Sequence, residues 1–198
     1  RRRQGPRRPT RLAAVDRVTD NDVTMARIGR GIDLGWRGER EAARLVLAAV
    51  WRDIGGDDGD PLYRCGAAHA LADLQDDVRE ELIWDLRALA AADSLTDARA
   101  ALAGVAVPVS DFYPSLHLNL GECYRKLGEF GHARQQLQLG REASRDLAAG
   151  EYAEFVSGGL DRLAEQIGAA EDPARPRNAR PGPAAEASPP ARPHPVRR

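Results

Sequence analysis

The sequence predicts an all-α protein. Aromatic residues make up only 5% of the 198 residues, whereas alanine, leucine and arginine, which favour helices, are abundant. Apolar residues recur at the spacing of one helix face in several segments, and glycine-containing breaks separate these segments. Together these observations favour a series of helices joined by short turns.

Charge and proline content divide the chain into three parts. Residues 1 to 11 carry six arginines and no acidic residue, and residues 172 to 198 carry six arginines, two acidic residues and eight prolines. We expect both ends to be disordered, because neither has an apolar pattern that would offset the entropy lost on ordering. The helical domain then spans residues 12 to 171, whose 17 basic and 28 acidic residues disfavour a specific nucleic-acid partner.

A first pair of helices is predicted between residues 21 and 54. Asn21 or Asp22 is the expected N-cap, and the turn between the two helices is centred on Gly38. The small residues Gly31 and Ala43 lie twelve positions apart, one on each helix. We expect these two small residues to let the helices pack closely.

A second pair follows a glycine-rich loop. Asp60 is a suitable N-cap and Pro61 a suitable first helical residue, which predicts that a helix starts at this point. Ala68 takes the position of Gly31 in the first pair, but its counterpart on the partner helix, Leu82, comes fourteen residues later. The pattern is therefore repeated with a longer spacing.

A third pair is predicted between residues 113 and 145, with its break at Gly128. Residues 93 to 111 form an insertion before it, in which Thr96 is expected to cap a short helix. After Gly150, apolar residues at helical spacing predict a last helix. A stack of hairpins needs such a helix to cover its exposed apolar end.

The third pair carries the most specific motif of the chain. Leu120-Gly121-x-x-Tyr124 followed by Ala133-x-x-x-Leu137 resembles the pattern of the tetratricopeptide repeat (TPR). The resemblance implies a right-handed α-α solenoid of three helical hairpins with a C-terminal capping helix.

The TPR resemblance also implies a function, namely a non-enzymatic scaffold that holds a protein or peptide ligand in a concave groove without a cofactor. Self-association is compatible with such a scaffold. The positions that line the groove in the family correspond to residues on the first helix of each pair: Ile28, Ile32, Trp36, Cys65, His69, Asp73, Leu118, Asn119, Glu122, Arg125 and Lys126. The alternative is that these residues form helix faces covered by the insertion or by the last helix.

The two ends of this groove are expected to differ in chemistry. Arg125 and Lys126 are adjacent basic residues in an acidic body, so we expect them to bind an acidic group or chain end of the ligand. Ile28 and Ile32 are expected to hold an apolar anchor of the same ligand.

His69 and Asp73 are one helical turn apart and therefore share a face, where they can ligate a metal or act as an acid–base pair. With His117 as a third residue, this pair suggests a first alternative function, a small metal-dependent hydrolase. No catalytic sequence motif accompanies the three residues, and a histidine oriented by a nearby carboxylate is the simpler interpretation. A second alternative is the ligand-sensing part of a larger transcriptional regulator.

Cysteine use and hydropathy indicate the setting of the protein. Cys65 and Cys123 lack the spacing of a zinc knuckle or a disulfide framework, which favours a reduced environment. The longest uncharged run, residues 100 to 110, is too short to span a bilayer, and no signal-peptide pattern is found. We therefore expect a cytoplasmic protein without a membrane partner.

Overall fold

The structure, a computed structural model, describes residues 11 to 171, with side chains described from residue 23 onwards. Its regular structure within this range is entirely helical. The eight α-helices are α1 (Arg11–Trp36), α2 (Arg40–Asp53), α3 (Pro61–Ala72), α4 (Val78–Asp93), α5 (Asp97–Leu102), α6 (Tyr113–Lys126), α7 (Phe130–Ala143) and α8 (Glu151–Glu171). None of these helices combines the length and the apolar character that crossing a membrane requires.

The first helix starts earlier than the sequence suggested. Helix α1 begins at Arg11, so Asn21 and Asp22 lie inside the helix and the predicted N-cap is wrong. The reason is that residues 11 to 28 contain no glycine or proline to stop the helix, and an internal polar residue disfavours a helix only slightly. Apart from Arg11, the two ends predicted to be disordered lie outside the described residues.

The helices pack as consecutive pairs. Helix α1 packs on α2, α3 on α4, and α6 on α7. Between pairs, α2 and α1 both contact α3, and α4 contacts α6. Helix α8 packs across α6 and α7. Each pair is therefore in contact with the next pair along the chain.

The turns of the first and third pairs have the same construction. Gly38 and Gly128 both have a φ of 79°, a left-handed conformation that favours glycine. In each turn the following residue donates its N–H back across the helix end, from Glu39 to the Leu34 carbonyl at 2.9 Å and from Glu129 to the Tyr124 carbonyl at 2.8 Å. This is the hydrogen bond that closes a glycine-terminated helix.

The turn of the second pair explains the longer spacing seen in the sequence. Three residues separate α1 from α2 and also α6 from α7, whereas five residues separate α3 from α4. The two extra residues of the Ala68 to Leu82 spacing therefore lie in the turn. Asp77 begins α4 as its N-cap, since its carboxylate accepts hydrogen bonds from the N–H groups of Arg79 and Glu80.

Two arginines of α2 join the first pair to this turn. Arg40 Nη1 donates to the carbonyl of Asp73 at 3.2 Å, and Arg44 Nε donates to the carbonyl of Leu74 at 2.7 Å. Arg44 also forms an ion pair with Asp76. Side chains from α2 thus satisfy carbonyl groups at the end of α3 that have no partner within their own helix.

Thr96 caps the short helix of the insertion, as predicted. Its hydroxyl accepts a hydrogen bond from the N–H of Arg99 at 3.2 Å, and α5 follows. The Arg99 guanidinium donates to Asp60, the N-cap of α3, at 2.7 Å, while Ala100 is buried in the core. The insertion is therefore held against the start of α3.

Small residues set the distance between the last helix and the third pair. A Cβ placed on Gly121 would lie 2.5 Å from a methyl carbon of Leu163, closer than real contacts allow. A Cβ placed on Gly140 would lie 2.8 Å from a methyl carbon of Leu160, and a Cβ placed on Gly159 would lie 2.5 Å from a methyl carbon of Leu118. A Cβ on Gly121 would also lie 3.6 Å from Gln136 Cβ and 3.7 Å from the Ala133 carbonyl oxygen on α7, so the small residue lets both α7 and α8 pack closely on α6.

Candidate functional site

An open groove of about 430 Å³ lies between α1 and α3. Four of the eleven predicted groove residues line it, namely Ile32, Trp36, His69 and Asp73. The remaining lining residues are Gly31, Gly35, Arg40, Gly66, Ala70 and Leu74. The groove is therefore confined to the first two helix pairs.

One side of the groove is apolar. Trp36, at the end of α1, is 42% exposed, a large apolar surface to leave in water. Ala70 and Leu74 on α3 are buried beneath the opening and form an apolar floor. Gly31, Gly35 and Gly66 line the rest of the groove with backbone atoms.

The other side of the groove is polar. His69 and Asp73 lie one turn apart on α3. Arg40 lines the same end, but its guanidinium is already bonded to the Asp73 carbonyl and to Asp76. The side-chain polar group that Asp73 offers to a ligand is thus a carboxylate.

Three predicted groove residues are buried instead. Ile28 packs against α3, where its side chain approaches Gly66, and Leu118 packs against Gly159 of α8. Cys65 lies in an alanine-rich seam between α3 and α4. These three side chains do not line an open groove, because neighbouring helices cover the faces on which they lie.

The predicted basic end of the groove is neutralised within the protein. Arg125 donates from Nε and Nη2 to the same oxygen of Glu122, at 2.9 and 2.8 Å. Lys126 Nζ bonds both carboxylate oxygens of Glu81, at 2.8 and 2.9 Å. An acidic group of a ligand at Arg125 and Lys126 would therefore have to compete with Glu122 and Glu81.

A buried acidic residue on α4, Asp85, was missed in the sequence. It is fully buried, and its oxygens face Asn119 Nδ2 at 3.4 Å, Cys123 Sγ at 3.5 Å and His69 Nδ1 at 3.7 Å. Asn119 also donates to Asp73 at 3.3 Å, so it links this buried cluster to the groove. Asp85 lies at helical spacing from Ala88 and Ala92, which are both buried, so it shares their face of the helix. This spacing was the sign of burial that the sequence contained.

The surroundings of this cluster perturb its titratable groups. Burial disfavours the charged imidazole of His69, but Asp85 and Asp73 outweigh that effect, so the pKa of His69 is raised. Burial also raises the pKa of the Cys123 thiol, and it raises the pKa of the Cys65 thiol to about 12. Both cysteines are therefore protonated thiols near neutral pH.

Comparison of the chain with protein-family models, curated proteins and solved structures finds no match. Any function proposed for the chain therefore rests on the geometry of its own residues.

His117 lies apart from the other two residues of the alternative hydrolase. It is buried on the side of α6 that faces α7, and its Nδ1 lies 2.8 Å from Oε1 of Gln136. His69 turns instead towards Asp85 of α4. His69, Asp73 and His117 are therefore not assembled into one centre.

Proposed function

We propose that the chain is a TPR-like, right-handed α-α solenoid of three hairpins with a capping helix, and that it is a non-enzymatic scaffold for a peptide or protein ligand. The order of helix contacts supports this proposal, since each pair packs on the next as in a stack of repeats. The matching turns at Gly38 and Gly128 support it as well, because the repeated local structure accompanies the repeated sequence pattern.

The observation that carries the proposal is the half-exposed Trp36 beside the groove between α1 and α3. A volume of about 430 Å³ is enough to hold one or two side chains and lies in the range of ligand pockets. Tryptophan is also the residue most enriched among those that dominate binding energy at protein interfaces. The ligand therefore places an apolar side chain against Trp36 and Ile32, above Ala70.

Charge selects the flanking residues of the ligand. Asp73 is exposed in the groove, and Arg40, which lines the same end of the groove, is bonded within the protein. The domain around the groove is acidic overall. A peptide with a basic residue next to its apolar anchor is therefore favoured, and an acidic peptide is disfavoured.

The test is selection of phage-displayed random peptides on the full chain, followed by calorimetric titration of selected peptides. Trp36→Ala should weaken binding about tenfold or more, as expected for loss of an aromatic anchor. The matched control is Leu45→Ala on α2, because Leu45 is 66% exposed and does not line the groove. Both changes are at the surface, so circular dichroism should show that both variants fold.

Two results would contradict the proposal. One is a set of selected peptides whose affinity is the same for Trp36→Ala as for the parent protein. The other is an equal loss from Leu45→Ala, which would place the binding surface on α2. Enrichment of acidic rather than basic residues would overturn the proposed role of Asp73.

A further inference from the structure

The chain that follows α8 is opposite in charge to the helical domain. Residues 172 to 198, the basic tail, carry six arginines and two acidic residues, whereas residues 12 to 171 carry 17 basic and 28 acidic residues. The basic tail lies outside the described residues. Because opposite charges attract, it is a candidate ligand for the domain to which it is joined.

One short motif recurs in the basic tail. Ala-Arg-Pro is found at residues 174 to 176, 179 to 181 and 191 to 193. A proline precedes the first and last copies, which gives Pro-Ala-Arg-Pro at 173 to 176 and at 190 to 193. In the extended helix that proline-rich segments favour, residues three apart share a face. The two prolines of such a motif can therefore pack together on an aromatic side chain, as proline-rich ligands do in aromatic-lined grooves.

The groove between α1 and α3 offers the partners that this motif needs. Trp36, which is 42% exposed, provides the aromatic surface. Asp73 lines the same groove, and its carboxylate accepts a hydrogen bond from the neutral amide of Asn119 at 3.3 Å. Arg40 is bonded to Asp76 rather than to this carboxylate. An arginine next to the prolines can thus form a charge-assisted hydrogen bond with Asp73.

The chain leaves α8 at the edge of the stack where Trp36 lies. Trp36 is the last residue of α1, next to the turn of the first pair, and the arginines of α2 join this turn to the end of α3. Lys126 at the end of α6 bonds Glu81 near the start of α4. Glu171 at the end of α8 forms an ion pair with Arg134 near the start of α7. These contacts place the ends of α1, α3, α6 and α8 on one edge.

The length of the tail decides which copy of the motif reaches the groove. Helix α8 contacts α6, the Asn119–Asp73 hydrogen bond joins α6 to α3, and α3 contacts α1. Packed helices are about 8 to 10 Å apart, so the groove lies about 16 to 30 Å from α8. At about 3.1 Å per residue, Arg175 extends only ~12 Å from the end of α8 and Arg180 ~28 Å, whereas Arg192 extends up to ~65 Å. The third copy is therefore the one that reaches the groove without being stretched.

We propose that residues 190 to 193 occupy the groove of their own chain, with Arg192 at Asp73 and the two prolines against Trp36. This inference rests on the proposed function, because it names a ligand for the same groove. A tether that spans the site gives an effective concentration on the order of 1 mM, so a weak contact is enough to keep the groove filled. A ligand from outside then has to displace the basic tail.

A nitroxide on the full-length variant Ser188→Cys locates the tail. The two native cysteines are buried, so the reagent modifies the introduced one. The label should broaden the indole N–H signal of Trp36 in ¹⁵N NMR spectra more than the signals of Trp51 and Trp84. Those two tryptophans are suitable references, because they pack on each other at 5.0 Å and do not line the groove.

Matched variants separate a specific contact from general charge attraction. Arg192→Glu in the labelled protein should remove the broadening of Trp36, whereas Arg175→Glu, the same charge change in the copy that does not reach, should leave it. A mixture of ¹⁵N-labelled parent and unlabelled nitroxide protein should show no broadening, since the contact is within one chain. Equal broadening of all three indoles, equal effects of the two arginine variants, or broadening in the mixture would overturn the proposal.

Peptide titration distinguishes failure of this inference from failure of the proposed function. The peptides selected on the full chain should bind Arg192→Glu about tenfold more tightly than the parent, as expected if the tail fills the groove about nine-tenths of the time. Arg175→Glu should bind them as the parent does. Equal affinity for the parent and Arg192→Glu, together with weaker binding to Trp36→Ala, would overturn the tail contact and leave the groove as the peptide site. Equal affinity for the parent and Trp36→Ala would instead contradict the proposed function.

Discussion

Gly121 offers a direct test of how α8 packs on the third helix pair. Its Cβ position lies 2.5 Å from a methyl carbon of Leu163, which is itself fully buried and has little room to move. Gly121→Leu should therefore overpack this contact, at about 1 to 3 kcal/mol of lost stability. Because leucine adds four carbons at a contact that is already too short for one, we expect the upper part of this range.

The matched control is Gly131→Leu on α7. No atom lies within 4 Å of a Cβ at Gly131, and that residue is exposed. Both variants replace a helical glycine by leucine, so the difference between them mainly reports the overpacking. We expect that difference to be about 2 to 3 kcal/mol, or roughly 4 to 12 °C in melting temperature for a domain of this size.

Urea unfolding of the parent and both variants measures this difference. Leu163→Ala should relieve part of the clash, so Gly121→Leu should destabilise that background by about 1 kcal/mol less than it destabilises the parent. If Gly121→Leu and Gly131→Leu are equally stable, Gly121 does not face Leu163 and the docking of α8 on α6 is wrong.

Two further predictions concern single polar contacts. The Arg44 hydrogen bond lowers the pKa of Asp76 below its ordinary value of 3.8, so this contact stabilises the fold above that pH and is lost as the pH falls through the lowered pKa. Carbon-13 NMR titration of the Asp76 carboxyl should show the low midpoint, and Arg44→Gln should raise it towards the ordinary value while Arg40 still lowers it; coincident midpoints would disprove the Arg44 contact. Asp60→Ala removes the N-cap of α3 and should lower the unfolding free energy in denaturant by about 1 to 2 kcal/mol. Asp58→Ala, in the exposed loop before it, should have little effect, and equal losses would show that Asp60 is not acting as a cap.

Helix ends were the most predictable part of the fold, because their signals are local. Thr96 and Asp60 satisfy N–H groups within three residues of themselves, and Gly38 and Gly128 adopt the left-handed conformation their turns need. The start of α1 was misjudged because an Asn or Asp that can cap a helix is also tolerated within one. No residue near Asn21 forces the chain to end a helix there.

The faces of the helices were harder to assign. Leu118 and Ile28 have the spacing of a groove position, but α8 covers the first and α3 covers the second. Which face is covered depends on the docking of elements distant in sequence, and an amphipathic pattern does not encode it. Asp85 was missed for the same reason. It lies near Cys123 and His69, which are on two other helices, and the sequence does not show that these residues are close together.

The hydrogen bonds from Arg40 and Arg44 to the end of α3 couple the first helix pair to the turn that leads into α4. If α2 detached, the carbonyls of Asp73 and Leu74 would lose their partners, and the turn into α4 would loosen with it. The hydrogen-exchange rate of the amide groups in that turn should therefore depend on how often the first hairpin opens. A shortened protein that begins at Asp60 would keep α3 but lose the side chains of α2 that bind its last carbonyls.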